Sequence, residues 1–308
     1  MRGRRSAIGD QFLDRTADSR SLRLMLEFSA ISPLRAWLAE QRAAGKCVAL
    51  VPTMGALHEG HLSLVDAARR RSDVVVMTVF VNPLQFGPGE DFQRYPRALD
   101  RDRALAQARA VTALFMPTAD VMYPLGAETR VVPGSIADRW EGAMRPGHFV
   151  GVLTVVAKLF HLTQPDVAVF GQKDIQQATL VRRMVEDLNF PIEVVVSPTV
   201  RESDGLALSS RNAYLDAEGR RQALALSRAL RTVDRAWQAG ECDPATLQRH
   251  MRDEFRMFPG VTVDYIAIAD PDRMAPVELA TGGTIVAVAG RVGGTRLLDN
   301  HILGTEFR

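Results

Sequence analysis

Through the first two-thirds of the chain, short apolar runs alternate with stretches of helical spacing. Val48-Ala49-Leu50-Val51 is a continuous run that stops at Pro52, and Leu62, Leu64, Val65 and Ala68 then recur along one helix face. Asp73 opens a β-branched run over residues 74–81, which predicts a strand buried on both faces. Strand, helix and strand in so short a space make a βαβ unit, whose crossover is expected to be right-handed. Upstream, Leu34, Trp37, Leu38 and Gln41 predict an amphipathic helix over 32–44, with Ser32-Pro33 as cap and first residue and Gly45 as its stop. Downstream come a helix near 100–110, a strand at 113–116, an apolar helix at 150–162, a strand at 166–170, a helix carrying Gln176, Gln177 and Leu180, and a strand at 192–196. This alternation predicts an α/β fold on an open parallel sheet.

After about Val200 the pattern changes. Residues 216–239 and 244–258 read as helices, the second capped by Asp243-Pro244, and residues 261–269 and 284–289 read as strands. Helices followed by strands predict a small α+β domain. The expected division is a disordered extension over 1–28, a nucleotide-binding domain over 29–199 and a C-terminal domain over 200–308.

Composition narrows the class without naming a partner. The chain has 308 residues, 46% apolar and 24% charged, with a net charge of +2. Nothing global therefore points to a nucleic-acid or membrane surface, and no apolar run reaches the length of a span. Cys47 and Cys242 are far apart and lack metal-ligand spacing, so they read as reduced thiols of a cytoplasmic protein. The first 25 residues carry six arginines against three aspartates and no apolar segment, which argues for a disordered tail rather than a secretory signal. A basic arm binding RNA is the alternative for that tail, weakened by the interleaved aspartates.

Candidate chemistry gathers where strands end. Pro52-Thr53-Met54-Gly55-Ala56-Leu57-His58-Glu59-Gly60-His61 reads as a tight turn leading into a helix, a place that attracts phosphate in an open α/β sheet. His58 and His61 share a face at i and i+3, and Gly60 removes a side chain where a ribose or base would approach. The spacing from Glu59 to His61 lacks the i, i+4 histidine pair of zinc hydrolases. Asn82 and Gln85 follow the next strand, and the charged stretch from Glu90 to Arg97 is placed to cover the site. A Gly- and Pro-rich segment, 139–149, reads as a loop in which Arg145 is best taken as a solvated charge. Gly171-Gln172-Lys173-Asp174 makes a second phosphate-friendly turn whose lysine can neutralise phosphate charge. Ser209-Ser210-Arg211 suits a mobile loop closing over phosphates. Asp100 and Asp102 are conceivable helpers for a metal ion, and surface helix capping explains them equally well.

Taken together, these segments with Asn82-Pro83-Leu84-Gln85-Phe86, Glu141-Gly142-Ala143-Met144-Arg145-Pro146-Gly147-His148-Phe149, Ser209-Ser210-Arg211-Asn212 and Arg296-Leu297-Leu298-Asp299-Asn300 resemble the pantothenate synthetase (pantoate–β-alanine ligase) family. The resemblance runs from about residue 29 to the C-terminus. The histidine motif alone would point only to the wider HIGH-type nucleotidyltransferases. The resemblance implies a Rossmann-like domain with a smaller lid, usually in a homodimer, that uses ATP and Mg²⁺, the ion held mainly by phosphates and its protein ligands unknown. It implies that ATP and pantoate give pantoyl adenylate and pyrophosphate, and that the amine of β-alanine then releases AMP and pantothenate. It places Met54, Gly55, Ala56, Leu57, His58, Glu59, Gly60 and His61 at ATP, with His58 and His61 donating to the phosphates and His61 matching the assigned proton donor. Lys173 is implied to stabilise charge on the transferring phosphate. Gly171, Gln172, Asp174, Val200 and Leu208 are placed at the nucleotide, Ser209, Ser210 and Arg211 over the pyrophosphate, and Gln85 and Gln177 at pantoate. Leu208 and Leu84 stand where the family commonly has methionine, and Gln172 where it often has glutamate. A transferase acting on another small acid is the nearest alternative, and Gln85 with Gln177 argues against it.

Overall fold

The computed structural model describes residues 24–307. The elements in chain order are β1 (Leu26–Phe28), α1 (Ile31–Ala43), β2 (Val48–Val51), α2 (Glu59–Arg69), β3 (Val74–Thr78), α3 (Leu99–Ala108), β4 (Ala113–Phe115), α4 (Ala119–Met122), α5 (Trp140–Met144), α6 (His148–Thr163), β5 (Val167–Gly171), α7 (Ile175–Asp187) and β6 (Glu193–Ser197). They are followed by α8 (Ala217–Gln238), α9 (Pro244–Arg256), β7 (Val261–Ala269), β8 (Ile285–Val292) and β9 (Thr295–Ile302).

The first six strands form one parallel sheet in the order β1-β4-β3-β2-β5-β6. Every residue of β2 and β3 is buried, as their unbroken apolar runs predict for strands covered on both faces. One face packs Leu34, Phe115, Phe160 and Val181 beneath α1, α6 and α7; the other packs Leu57, Val65, Ala68 and Met77 beneath α2 and α3. The chain leaves β2 toward β3 on one side and returns to β5 on the other. The strand order therefore reverses between β2 and β5, and the crevice outside their carboxyl ends is where this architecture receives ligands.

The last three strands form a separate antiparallel sheet, β7-β8-β9, covered by α8 and α9. Asp243 caps α9 through the N–H groups of Ala245 and Thr246, with Pro244 in the first helical position, as expected. Ile175 of α7 packs with Ala267, Ala269, Met274, Ile285 and Ala287, which joins the small sheet to the large one beside the carboxyl end of β5.

Several boundaries differ from the expectation. Helix α1 starts at Ile31 behind Ala30, with no side-chain cap, so Ser32 is not the cap and Pro33 sits third in the helix. Proline is tolerated there because the first four N–H groups of a helix have no intrahelical partner. Leu26–Phe28, placed in the disordered extension, instead pair with β4 as an edge strand. The arginine-rich residues 1–23, with the disorder and RNA-arm readings attached to them, lie outside the described residues. The segment read as a loop over 139–149 contains the short helix α5 and the start of α6. Strand β9 was not expected at all, because buried Asp299, Asn300 and His301 interrupt its apolar pattern.

Candidate active site

The site begins with the turn after β2. Gly55 and Ala56 both take left-handed backbone, with φ of +86° and +51°, and a Cβ on Gly55 would lie 2.8 Å from Val79 and 2.9 Å from Asp102. For an alanine that conformation costs about 1–2 kcal/mol, and Asp102 offsets it. Its carboxylate accepts the N–H groups of Ala56 and Leu57 at 2.9 and 2.7 Å while almost fully buried. Asp102 is therefore an anchor for the turn; the surface-cap reading fails, and both oxygens are already engaged. Asp100 is exposed and pairs with Arg103.

His58 is the N-cap of α2, its Nδ1 accepting the N–H of Gly60 at 3.1 Å. That bond places the ring proton on Nε2, which is left free to donate. A Cβ at position 60 would lie 2.9 Å from both Cε1 and Nδ1 of His58, so this glycine makes room for the histidine ring. Gly60 also lines the cavity, so this contact does not close the room expected there for a ribose or base. The His61 ring lies 4.1 Å from that of His58, and its buried Nδ1 has no partner. Burial, reinforced by Lys173, lowers His58 to about 4. Burial also pushes His61 well below the usual histidine range, with His58 and Lys173 adding to the effect. Both are neutral near pH 7.

Beside them, at the end of β5, Gly171 and Lys173 lead into α7, so the N-termini of α2 and α7 flank the switch point. Both helix N-termini line the cavity, and free N–H groups at such ends favour an anion. On the β3 side, the Asn82 side chain donates to Gln85 Oε1 at 3.0 Å and to the Gly151 carbonyl at 3.1 Å, and accepts from Tyr123 at 2.9 Å. Gln85 Nε2 in turn contacts Met54 Sδ at 3.1 Å. Asn82 thus holds Gln85 in place, a role that its Asn-Pro setting gave little reason to expect.

The opposite wall is ionic. Arg145, expected in solvent, keeps 12% of its side chain exposed and reaches Glu90 at 2.5 Å, Glu141 at 3.5 Å and the Gln85 carbonyl at 3.2 Å. Glu141 also pairs with Arg296 of β9 at 2.6 Å, and Arg296 with Asp264 of β7. Burial pushes Glu141 up, but the bond and charge of Arg296 outweigh it and keep the carboxyl below its ordinary range. His148 Nδ1 lies 2.8 Å from the Gln85 carbonyl and its Nε2 3.2 Å from Arg145. Only a neutral ring with its proton on Nδ1 satisfies both contacts, in agreement with a value lowered to about 4 by burial and then by Arg145. Across the cleft, Arg211 pairs with Asp91 at 2.8 and 2.9 Å, and Ser210 contacts the Tyr95 hydroxyl at 3.3 Å. These bonds tie the segment after β3 to the Ser209-Ser210-Arg211 segment.

The resulting cavity measures about 240 Å³. Of the residues expected at the site, Met54, His58, Gly60, His61, Gln85, Gly171, Lys173, Asp174, Gln177, Val200, Leu208, Ser209, Ser210 and Arg211 line it. Gly55, Ala56, Leu57, Glu59 and Gln172 do not. Leu57 is in the core, Glu59 faces Arg109 at the surface, and Gln172 bonds to Asn300. Tyr95, from the stretch expected to cover the site, lines it; Tyr265 and Thr199 do so without any mark in their local sequence.

Known proteins match this architecture over nearly its whole length. Residues 27–302 match the family model described as pantoate-beta-alanine ligase. A pantothenate synthetase of Moorella thermoacetica is 54% identical over 273 residues, covering 89% of this chain and 96% of its own. The crystal structure of pantothenate synthetase from Thermus thermophilus superposes with a TM-score of 0.86 at 51% identity, covering 90% of this chain and 99% of that one. The chain belongs to the pantoate–β-alanine ligase family. A Francisella tularensis pantoate-beta-alanine ligase, solved with beta-gamma ATP and beta-alanine, matches at 32% identity with a TM-score of 0.77, covering 92% of this chain and all of that one.

Proposed function

We propose that this chain condenses pantoate with β-alanine at the cleft between β2 and β5, spending ATP through a pantoyl adenylate. The observation that carries this reading is the meeting of His58, His61, Lys173, Gln85, Gln177 and Arg211 in one cavity, although their positions span 154 residues of sequence (211 − 58 + 1).

In the first step a carboxylate oxygen of pantoate bonds to the α-phosphorus of ATP, and the bond to the β-phosphate breaks to release pyrophosphate. His58, neutral with its proton on Nε2, donates to a phosphate oxygen. His61 acts beside it, and Lys173 meets the charge that grows as the phosphorus is attacked, a preorganised stabilisation. Gln85 and Gln177 hold the hydroxyl and carboxylate of pantoate in line with the phosphorus, so alignment supplies much of the rate. In the second step the nitrogen of β-alanine bonds to the acyl carbon, the carbon–oxygen bond to AMP breaks, and the nitrogen loses a proton. No enzyme nucleophile enters either step.

Mg²⁺ fits this scheme as a companion of the phosphates, where it would supply charge neutralisation. Among the described residues no group of three or more His, Cys, Asp or Glu side chains is arranged to hold an ion, and Asp102 already gives both oxygens to the turn. The large sheet with its helices, from β1 (Leu26–Phe28) through residue 199, is read as the substrate domain and 200–308 as its lid. A homodimer and a cytoplasmic setting complete the reading; the free thiols of Cys47 and Cys242 support the second. No helix among the described residues is long and apolar enough to cross a membrane.

Pantoate-dependent exchange of labelled pyrophosphate into ATP, first without and then with β-alanine, tests the proposal. Exchange that requires pantoate, followed by AMP accumulation once β-alanine is added, is the expected result. Well-folded protein that shows no exchange with Mg²⁺ present would overturn it.

A further inference from the structure

Lys173 sits on a turn that does little to hold itself. Gly171, before the three-residue 3-10 turn Gln172–Asp174, has no side chain with which to cap it, and Asp174 at the start of α7 makes no capping bond. The bonds come from the other sheet. Asn300 on β9, only 1% exposed, donates both hydrogens of its side-chain amide to this turn, to the Gln172 carbonyl at 2.8 Å and the Lys173 carbonyl at 2.9 Å. Its Oδ1 accepts from Gln172 Nε2 at 3.3 Å. The amide is itself held, since the Asn300 N–H donates to Asp299 Oδ1 at 2.8 Å and Arg201 Nη2 reaches the same oxygen at 3.0 Å.

We propose that Asn300 is the positioning residue for Lys173: it fixes the backbone of the 171–174 turn from the small sheet, so that the ammonium lies over the transferring phosphate only while the two sheets are docked. The chemistry demands an amide. Two adjacent carbonyls need two donors from one group, and the facing glutamine needs an acceptor; asparagine supplies both, whereas an isosteric carboxylate would set its oxygens against both carbonyls. An unsatisfied buried carbonyl is costly, so loss of the amide drives the turn to rearrange toward water rather than remain in place. Asn300 also lines the cavity, but both hydrogens and the oxygen of its amide are engaged by the turn, so it acts through Lys173. The proposal rests on the role given to Lys173 above.

The test is a double-mutant cycle read by pantoate-dependent pyrophosphate exchange. Asn300→Asp is expected to lower kcat by about 30- to 100-fold, the scale of a small misplacement of a catalytic group. KM for ATP and for pantoate should change far less. In a Lys173→Ala background the same substitution should cost little more, because the group it positions is gone. Equal losses in both backgrounds would show a general structural role and overturn the inference, as would an Asn300→Asp enzyme with wild-type kcat. Asn300→Ser retains one donor without adding charge, so it should fall between the two and serves in the cycle if the aspartate variant does not fold. A Lys173→Ala enzyme with near-wild-type exchange would instead overturn the role of Lys173, an outcome visible in that single variant alone.

Discussion

The two sides of the cleft are built on opposite electrostatic plans. Toward β2 and β5 lie His58 and His61, neutral because burial drives their protons off, and Lys173, whose ammonium is in no ion pair among the described residues. Toward β9 lies a chain of compensated charges, from Glu90 through Arg145, Glu141 and Arg296 to Asp264. The difference separates two kinds of work. Of the groups proposed to meet phosphate, the Lys173 ammonium and His61 Nδ1 are left without protein partners among the described residues while Arg211 is held by Asp91, whereas most of the wall's charge is compensated within it. Buried polar atoms without partners occur on both sides: His61 Nδ1 on the first, Glu141 Oε2 and Arg296 Nη2 on the second.

Substitution should separate the two plans. The largest effect is expected on the neutral side, where Lys173→Ala and His61→Ala should each cut pyrophosphate exchange by at least about 100- to 1,000-fold, the usual cost of one preorganised donor. Their thermal unfolding should stay close to that of the parent, and a near-parental exchange rate in either variant would remove it from the mechanism. On the wall the order reverses. Glu141→Ala removes one partner from Arg296 and from Arg145, which keep Asp264 and Glu90, and should cost about 1–3 kcal/mol in urea unfolding.

Acid should act on His58, and on His148 within the wall, before it breaks the wall's carboxylate pairs. The folded pKa of His58, about 4, lies below its ordinary 6.5, so between these values the folded state binds fewer protons than the unfolded state. Stability is therefore full above the ordinary value and falls as the pH drops toward the folded one. At about pH 5 the loss from this one ring should be roughly 1–2 kcal/mol, and His58→Gln should flatten the slope. Burial pushes Glu90 up, but Arg145 outweighs it and holds the carboxyl low, so that pair should fail only at a lower pH. The smallest effect belongs to the surface. Arg183→Ala, which removes an exposed pair with Asp187 on α7, should leave the melting temperature and exchange unchanged.

Local pattern carried information wherever a residue's neighbours in sequence were also its physical partners. The capping of α9 by Asp243 and Pro244 is a contact within a few residues, and the burial of β2 and β3 is written in their own composition. The cap that His58 gives Gly60 is equally local, although the turn before it is held by the distant Asp102. Arg145 shows the limit: from its loop it reads as a solvated charge, and only Glu90, 55 residues away, and the Gln85 carbonyl, 60 away, bring it into the wall.

From sequence alone came the α/β alternation, the shift to a second pattern after Val200, and the histidine and lysine turns at strand ends, because periodicity, turn chemistry and motif spacing are properties of adjacent residues. Tertiary structure decided the rest. Strand β9 has no clean apolar period because Asp299 is paired with Arg201 and Asn300 is spent on the Lys173 turn, partners that lie about a hundred residues or more away. Asp102 became an anchor rather than a surface cap once the fold set it against Ala56 and Leu57. A buried polar group is tolerated only when it is paired, and which pairs form depends on how the two sheets dock.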